Sequence, residues 1–198
     1  MTTWHIITCE YPPQIGGVSD YVPIVARGLA AAGDDIHVWA PQATGPSQDY
    51  TGVRVHRKFG TFSARDLIRV GGALNAFPSP RRLFVQWVPH GYSRDSVNLT
   101  FCFWLLWRAR MRNDDVELMV HEAYLPFKRG ALRQNAAAVA HRVMAAILLR
   151  AASRVWYAIP AWEKQWRPYL LGKKVPSRWL PLPSTVPSRA STMPRAAS

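Results

Sequence analysis

The sequence predicts one α/β domain, in which a doubly wound, mostly parallel β-sheet is flanked by helices. Short apolar segments rich in β-branched and aromatic residues alternate with longer segments of helical periodicity. Glycine, proline and polar turns separate these segments. A chain of 198 residues with 48% hydrophobic content is also large enough for one packed core. Because such alternation favours parallel strands, ligands are expected outside the carboxyl ends of the strands.

Two glycines join the first strand to the first helix. An apolar strand over residues 4–9 precedes a helix whose apolar positions recur at helical spacing as far as Leu29, and residues 36–40 form a second strand. Gly16 and Gly17 allow the backbone to lie close to a ligand, and the free N–H groups of the helix favour an anion such as phosphate. The spacing is not G-x-G-x-x-G, which disfavours a nicotinamide or flavin cofactor. A tight turn without a ligand stays an alternative.

The middle of the chain predicts two further strands and a helix. Residues 53–57 alternate in polarity, which is typical of a half-exposed or edge strand. Ser63 is a favoured capping residue for a helix that ends before the Pro78-Ser-Pro80 breaker. The continuous apolar run 83–88 predicts a buried strand, and the loop 89–92 at its carboxyl end should face the crevice.

The second half predicts two long helices and three strands. Residues 96–111 form an aromatic helix whose last turn holds arginines, which suit a helix carboxyl terminus. Residues 130–152 have a high helical propensity from Ala, Leu and Met. Strands are predicted over 118–122, 155–159 and 177–182, with a short helix between the last two.

The net charge of +13 is concentrated in the second half. Residues 1–123 hold 12 Lys/Arg and 11 Asp/Glu, whereas residues 124–198 hold 13 Lys/Arg and one glutamate. A basic face suits anionic lipid or an acidic partner, and an arginine-rich proteome would also produce it. The basic residues are not interleaved with a stacking-aromatic strand motif, which disfavours nucleic acid as a partner.

Cysteine use and apolar run lengths suggest a compartment. Cys9 and Cys102 fall in a predicted strand and a predicted helix without metal-ligand spacing, so we expect buried thiols in a reducing compartment and no metal site. The longest apolar runs are well short of the ~20 residues that span a bilayer. We therefore expect a cytoplasmic chain, with peripheral contact at the inner face of the membrane. The domain should span 1–187, and 188–198 should be a disordered tail.

The segment from Glu10 to Val22, with Tyr-Pro-Pro ahead of Gly-Gly-Val, resembles the amino-terminal domain of retaining glycosyltransferases with the GT-B fold, family 4-like. Leu118-Met-Val-His-Glu122 resembles the strand end at which that family places a histidine in the active-site cleft. The resemblance implies a Rossmann-like half of a GT-B fold. The carboxyl-terminal domain of such enzymes normally holds the nucleotide, often with two glutamates eight positions apart, and no two glutamates here have that spacing. The sequence therefore looks like one half, with the other expected from a separate chain or missing.

The resemblance also implies roles for particular residues. Gly16 and Gly17 would lie against the donor diphosphate, and His121 would be the catalytic residue that contacts the transferred sugar or an acceptor group. A core histidine bonded to the backbone is the alternative for His121. No metal or other cofactor is expected besides the nucleotide-sugar co-substrate, because helix dipoles and basic side chains can stabilise the departing diphosphate. The acceptor contacts implied are Tyr11, Ser19, His90 and Glu122.

Two classes of function stay open at this point. The first is the acceptor-side half of a glycosyltransferase, which transfers a sugar from a nucleotide-sugar to a lipid-linked or polysaccharide acceptor and needs a second domain or partner chain for full activity. Whether the chain is an enzyme by itself is left undecided. The second is a non-catalytic basic binding module, or a truncated relic, that binds anionic lipid or nucleic acid.

Overall fold

A computed structural model describes residues 1–44, 50–93 and 95–183 of the chain. The predicted tail, residues 188–198, lies outside these described residues. The strands are β1 (Thr3–Ile7), β2 (Asp35–Pro41), β3 (Val53–Phe59), β4 (Arg82–Trp87), β5 (Asp115–Val120), β6 (Arg154–Tyr157) and β7 (Ser177–Trp179). The helices are α1 (Gly17–Ala31), α2 (Ala64–Leu74), α3 (Leu99–Met111), α4 (Leu132–Ala151) and α5 (Pro160–Trp166), the last followed by a 3-10 helix over Arg167–Leu170.

The seven strands form one parallel sheet that is wound in both directions from its centre. Their order is β3-β2-β1-β4-β5-β6-β7, and every neighbouring pair is parallel. Helix α1 packs on one face, whereas α2 to α5 pack on the other, as right-handed crossovers in opposite directions require. The predicted doubly wound α/β fold is confirmed. The winding direction changes between β1 and β4, where such sheets open a crevice at the carboxyl ends of their strands.

Each face of the sheet has its own apolar core. On the α1 face, Ile6, Val38 and Phe84 pack against Val22 of the helix. The opposite core is larger and takes residues from strands β1 to β6 together with helices α2 to α5. Burying one such aliphatic or aromatic side chain stabilises a domain by roughly 1.5–3 kcal/mol. The two cores hold the strand ends, and therefore the loops that follow them, in a fixed arrangement.

The first two helices begin in different ways. Ser63 Oγ accepts a hydrogen bond from the Asp66 backbone N–H, and the Asp66 carboxylate accepts one from the Ser63 N–H. This capping box confirms the start predicted for α2. Helix α1 starts after Gly16, which has no side chain with which to cap it. The backbone amides of its first turn therefore need partners from elsewhere.

The strongest buried charge cluster lies at the amino ends of the strands, away from the expected crevice. The Asp114 carboxylate accepts hydrogen bonds from the guanidinium groups of Arg81 and Arg108, and all three side chains are buried. A buried pair of this kind is costly to break, because removing one partner leaves an uncompensated charge. The Arg81–Asp114–Arg108 cluster joins the starts of β4 and β5 to the end of α3, which indicates a structural role.

Two further expectations concern the thiols and the membrane. Cys9 and Cys102 are both buried free cysteines, as predicted. Among the helices formed by residues 1–44, 50–93 and 95–183, none has both the length and the apolar content needed to cross a bilayer.

Candidate active site

The loops that follow β1, β4 and β5 meet at one edge of the sheet, as the sequence predicted. Gly91, after β4, packs so closely on Cys9, after β1, that a Cβ at position 91 would overlap the Cys9 side chain. The His121 backbone N–H, after β5, donates to the Trp87 carbonyl at 3.0 Å. Burial, together with the negative charges of Glu10 and Glu122, raises the pKa of the Cys9 thiol to about 12. Residues distant in sequence thus converge around the switch point of the sheet.

The Glu10 side chain occupies the amino terminus of α1. Its Oε1 accepts hydrogen bonds from the backbone N–H groups of Val18 at 2.8 Å and Ser19 at 3.0 Å. A Cβ at Gly16 would overlap this carboxylate, so the glycine is required for the close approach. Two of the amides at the start of this helix are therefore bonded to a carboxylate of the same chain, while the diphosphate contacts at Gly16 and Gly17 stay a prediction. A donor diphosphate reaches this terminus only if the Glu10 carboxylate leaves, because two anions cannot share the same donors.

The loop between β1 and α1 is closed by its own hydrogen bonds. Ser19 Oγ donates to the Gln14 carbonyl at 2.5 Å, and the Tyr11 backbone N–H donates to Gln14 Oε1 at 3.1 Å. The Arg57 guanidinium stacks on the Tyr11 ring, 5.3 Å from the ring centroid. Tyr11 and Ser19 are both fully buried, so an acceptor would reach them only in another conformation of this loop, and their acceptor contacts stay a prediction.

His121 lies directly after β5, between the sheet and α1. Its Nε2 is 3.0 Å from Gln86 Oε1, and the Tyr21 ring meets the imidazole edge-on with 4.9 Å between centroids. With the amide oxygen facing the ring, Nε2 carries the proton and Nδ1 is left as an acceptor. Burial lowers the pKa of His121 to about 4, so the imidazole is neutral at physiological pH. The alternative of a core histidine bonded to the backbone does not describe the ring, which is partly exposed and bonded to a side chain.

Two polar groups beside His121 are buried without a hydrogen-bond partner within the part of the chain that the structure describes. They are the Tyr21 hydroxyl and the Gln86 Nε2 group. Two indole N–H groups, of Trp87 and Trp166, are also unpartnered, but they lie in the core on the opposite face. Because an unpartnered buried donor costs roughly 1–3 kcal/mol, a pair beside a partly exposed imidazole favours a ligand at this corner.

His90 lies on the other side of β4, towards α4. Its Nδ1 is 2.7 Å from Ser96 Oγ, and its ring is exposed. The Ser96 carbonyl accepts from His141 Nε2 at 2.7 Å, and His141 Nδ1 accepts from the Leu125 N–H at 3.3 Å. The two backbone contacts fix the tautomer of His141, which is buried. His141 thereby links the loop after β4 to the loop after β5.

A cavity of about 340 Å³ opens at the carboxyl ends of the first four strands. Its lining includes Cys9, Gln14, Thr61 and His90, but neither His121 nor Glu122. Glu122 is exposed next to His121 and is therefore accessible to an acceptor. The predicted site residues thus divide into an accessible group, formed by His90, His121 and Glu122, and a closed group on the first loop.

Sequence reasoning missed three residues that shape this site. Glu10 has a detectable signal, because an acidic residue a few positions before a helix that starts after glycine can supply the missing cap. Tyr21 occupies a position on the apolar stripe of α1, where the pattern indicates packing alone. Gln86 has only a weak signal, as the one polar residue within the apolar run 83–88.

The comparisons with known proteins show a similarity of fold. No protein-family model matches the sequence, and no curated protein matches it. Among solved structures, sucrose-phosphate synthase from Thermosynechococcus elongatus is similar at 15% identity and a TM-score of 0.63, covering 91% of this chain and 48% of the synthase. A second structure of that synthase is similar at 14% identity and a TM-score of 0.55, covering 93% of this chain and 91% of that one. This chain spans about half the length of the first structure. The domain has the seven-stranded, Rossmann-like fold of one half of a GT-B glycosyltransferase.

Proposed function

We propose that this domain is the acceptor-side half of a glycosyltransferase. It works with a nucleotide-binding half, from further sequence or a partner chain, and transfers a sugar from a nucleotide-sugar to an acceptor. The observation that carries the proposal is the corner formed by His121, Gln86 and Tyr21, which lies at the carboxyl edge of the sheet where this fold binds ligands. The similarity to a sucrose-phosphate synthase supports it at the level of the fold.

The chemistry of the corner suits a sugar. A sugar presents hydroxyl groups that both donate and accept, and the corner offers an acceptor at His121 Nδ1, a donor at Gln86 Nε2 and the Tyr21 hydroxyl. The neutral imidazole contacts a hydroxyl of the transferred sugar or the acceptor, and the Gln86 amide orients it. Because the ring is neutral, it acts through directed hydrogen bonds rather than through charge.

The remaining predicted residues extend the same proposal. Exposed Glu122 and His90 contact the acceptor on the two sides of β4. The diphosphate contacts of Gly16 and Gly17 belong to a conformation in which Glu10 has released the α1 amides. Retention of anomeric configuration, membership of a family 4-like group, and a lipid-linked or polysaccharide acceptor rest on the sequence resemblance. No metal or further cofactor is included.

The test uses calorimetric titration of nucleotide-sugars that differ in base and sugar, with the domain alone and with a co-encoded partner. In an active assembly, we expect His121→Ala to lower turnover by about 100-fold or more, as losing a positioned hydrogen-bonding group does. His56→Ala is the matched control, because burial also lowers the pKa of His56 to about 4 but this residue lies on β3, away from the crevice.

Two results would contradict the proposal. An assembly with His121→Ala that turns over at the wild-type rate would remove His121 from the site. Absence of nucleotide-sugar binding in every setting, combined with tight nucleic-acid binding that weakens steeply with salt, would instead favour the basic binding module.

A further inference from the structure

Helices α3 and α4 form a surface that carries charge of only one sign. Neither the 13 residues of α3 nor the 20 residues of α4 include an aspartate or glutamate. The two helices pack side by side on the same face of the sheet. Arg108 is buried against Asp114, whereas the other arginines are at least partly exposed. These are Arg110 in α3 and Arg133, Arg142 and Arg150 in α4.

The outward sides of both helices are apolar. On α3 the exposed large apolar residues recur every four positions, which places them on one side of the helix, opposite the buried Phe101 and Leu105. Phe103 is 54% exposed and Trp107 is 43% exposed. The α3–α4 face is defined here by its exposed large apolar residues, which are Leu99, Phe103, Trp107 and Met111 on α3 and Leu132, Val139 and Val143 on α4.

The core of the domain does not account for this face. Both helices already bury a separate apolar side against the sheet, with Leu105 of α3 and Leu148 of α4 fully covered. A helix that is apolar on both sides normally has both sides covered. Contiguous exposed apolar patches on soluble domains mark contacts with a partner or a membrane.

Aromatic and basic residues are paired at the borders of the face. The Arg112 guanidinium lies 5.1 Å from the centroid of the Trp107 ring, and that of Arg142 lies 4.1 Å from the Phe127 ring. Phe127 is exposed and is followed by exposed Lys128 and Arg129. Trp and Arg side chains of this kind are typical of the boundary between headgroups and acyl chains, where the ring enters and the cation stays hydrated.

Acidic residues near the face are few. Asp114 follows α3 but is buried between two arginines, and Asp115 faces Arg82. Asp95 and Glu122 are exposed in the loops before the two helices. The face therefore combines exposed apolar side chains with an excess of arginine, which complements an anionic lipid surface.

We infer that the α3–α4 face docks on an anionic phospholipid bilayer. The apolar residues enter the acyl boundary, while the surrounding arginines and lysine contact the headgroup phosphates. Uniform charge favours lipid over a second copy of the chain, because two copies meeting through this face would bring their arginines together without carboxylates to pair them. The inference does not depend on the proposed glycosyl transfer.

The test is co-sedimentation of the full chain with vesicles of phosphatidylcholine, alone or mixed with phosphatidylglycerol. We expect binding to the mixed vesicles that weakens with salt. Phe103→Gln/Trp107→Gln should weaken it about tenfold or more, and Leu132→Gln/Val139→Gln is a second pair at highly exposed positions. The apolar control is Ile15→Gln, which replaces a fully exposed side chain in the loop before α1.

Charge is tested by a matched pair of double variants. Arg110→Gln/Arg133→Gln should weaken binding more than Arg154→Gln/Arg178→Gln, which removes the same charge from the strands β6 and β7. Circular dichroism verifies folding of each variant. Failure of the wild-type chain to bind the mixed vesicles would overturn the inference, as would equal binding by all variants. A solution dimer that Phe103→Gln/Trp107→Gln converts to a monomer would assign the face to a second copy instead.

Discussion

Two polar regions at the start of α1 lie within two helical turns of each other and differ in how their hydrogen bonds are completed. At the terminus, Glu10 pairs with the backbone N–H groups of Val18 and Ser19. At the His121 corner, the Tyr21 hydroxyl and Gln86 Nε2 have no partner in the described residues. A glycine-opened helix terminus can thus be filled by the chain's own carboxylate, whereas the corner that lacks partners is better suited to a ligand.

The largest expected effect is the response of stability to acid. Burial lowers the pKa of His5 to about 3 and the pKa values of His56 and His121 to about 4. The unfolded chain binds these protons near pH 6.5, so the free energy of unfolding falls as the pH is lowered from 6.5 towards 4. His121→Gln should reduce that fall by on the order of 2 kcal/mol. Urea denaturation of the wild type and of His121→Gln at a series of pH values measures this fall in the free energy of unfolding.

The same acid titration distinguishes the contribution of His121 to the pH dependence of stability from that of a buried histidine elsewhere in the sheet. His56→Gln should remove a separate share of the same pH dependence, because His56 lies on β3 with His37 as its hydrogen-bonding partner. An unchanged pH dependence for His121→Gln would show that the imidazole is not held neutral by the fold.

Opening the α1 terminus should have the next largest effect. Glu10→Ala should lower the free energy of unfolding by about 1–2 kcal/mol, because two amides of the first helical turn lose their partner. Gly16→Ala should cost a similar amount, since its Cβ displaces the Glu10 carboxylate. The double variant should cost less than the sum of the two, and chemical denaturation of all four proteins completes this cycle.

Two additions sharpen the comparison at this terminus. Glu122→Ala is the control, since it removes an exposed carboxylate and should change stability by about 0.5 kcal/mol or less. If the terminus is the donor site, inorganic pyrophosphate should raise the melting temperature of Glu10→Ala more than that of the wild type. Additive costs in the cycle would show that Gly16→Ala does not act through the Glu10 carboxylate, and unchanged stability of Glu10→Ala would show that Glu10 does not cap α1.

The hydroxyl groups of Ser19 and Tyr21 provide a smaller and more direct comparison. Both are buried on α1, but Ser19 Oγ donates to the Gln14 carbonyl. Ser19→Ala should therefore lower the free energy of unfolding by about 1 kcal/mol, as the loss of one hydrogen bond does. Thermal unfolding of the variant beside the wild type measures it, and a neutral result would show that the first loop is not held by this contact.

Tyr21→Phe should have the smallest effect on stability. Its hydroxyl has no partner in the described residues, so removing it should be neutral or slightly stabilising in the absence of a ligand. If a sugar occupies the corner, the same variant should weaken nucleotide-sugar binding by calorimetry. A clear loss of stability without ligand would mean that the hydroxyl is already paired in the folded domain.

Much of the fold could be predicted because it depends on local patterns. The apolar run 83–88 gave β4 to within one residue, and Ser63 marked the start of α2 because capping is a short-range interaction. Helix α3 starts at Leu99 rather than near residue 96, because Asn98 Oδ1 accepts from the Phe101 N–H. The predicted start of α3 is therefore three residues too early, because the cap at Asn98 sets where the helix begins.

The site was harder to predict, because it depends on where side chains point after the chain has turned. At Gly16 another group does approach the backbone closely, but in this structure that group is the Glu10 carboxylate. The family resemblance implied an acceptor contact for Ser19, yet it does not specify the path of the loop that buries this side chain. Gln86 and His121 come together only because β4 and β5 are neighbours in the sheet.

The sequence by itself determined the alternation of strands and helices, the parallel sheet, the crevice edge and the concentration of positive charge in the second half. These follow from periodicity, capping and composition, which act over a few residues or over the whole chain. The tertiary structure alone decided that Glu10 closes the α1 terminus, that His121 meets Gln86 and Tyr21, and that α3 and α4 present a second apolar side to the exterior. Such features depend on contacts between distant residues, whose geometry exists only once the sheet has assembled.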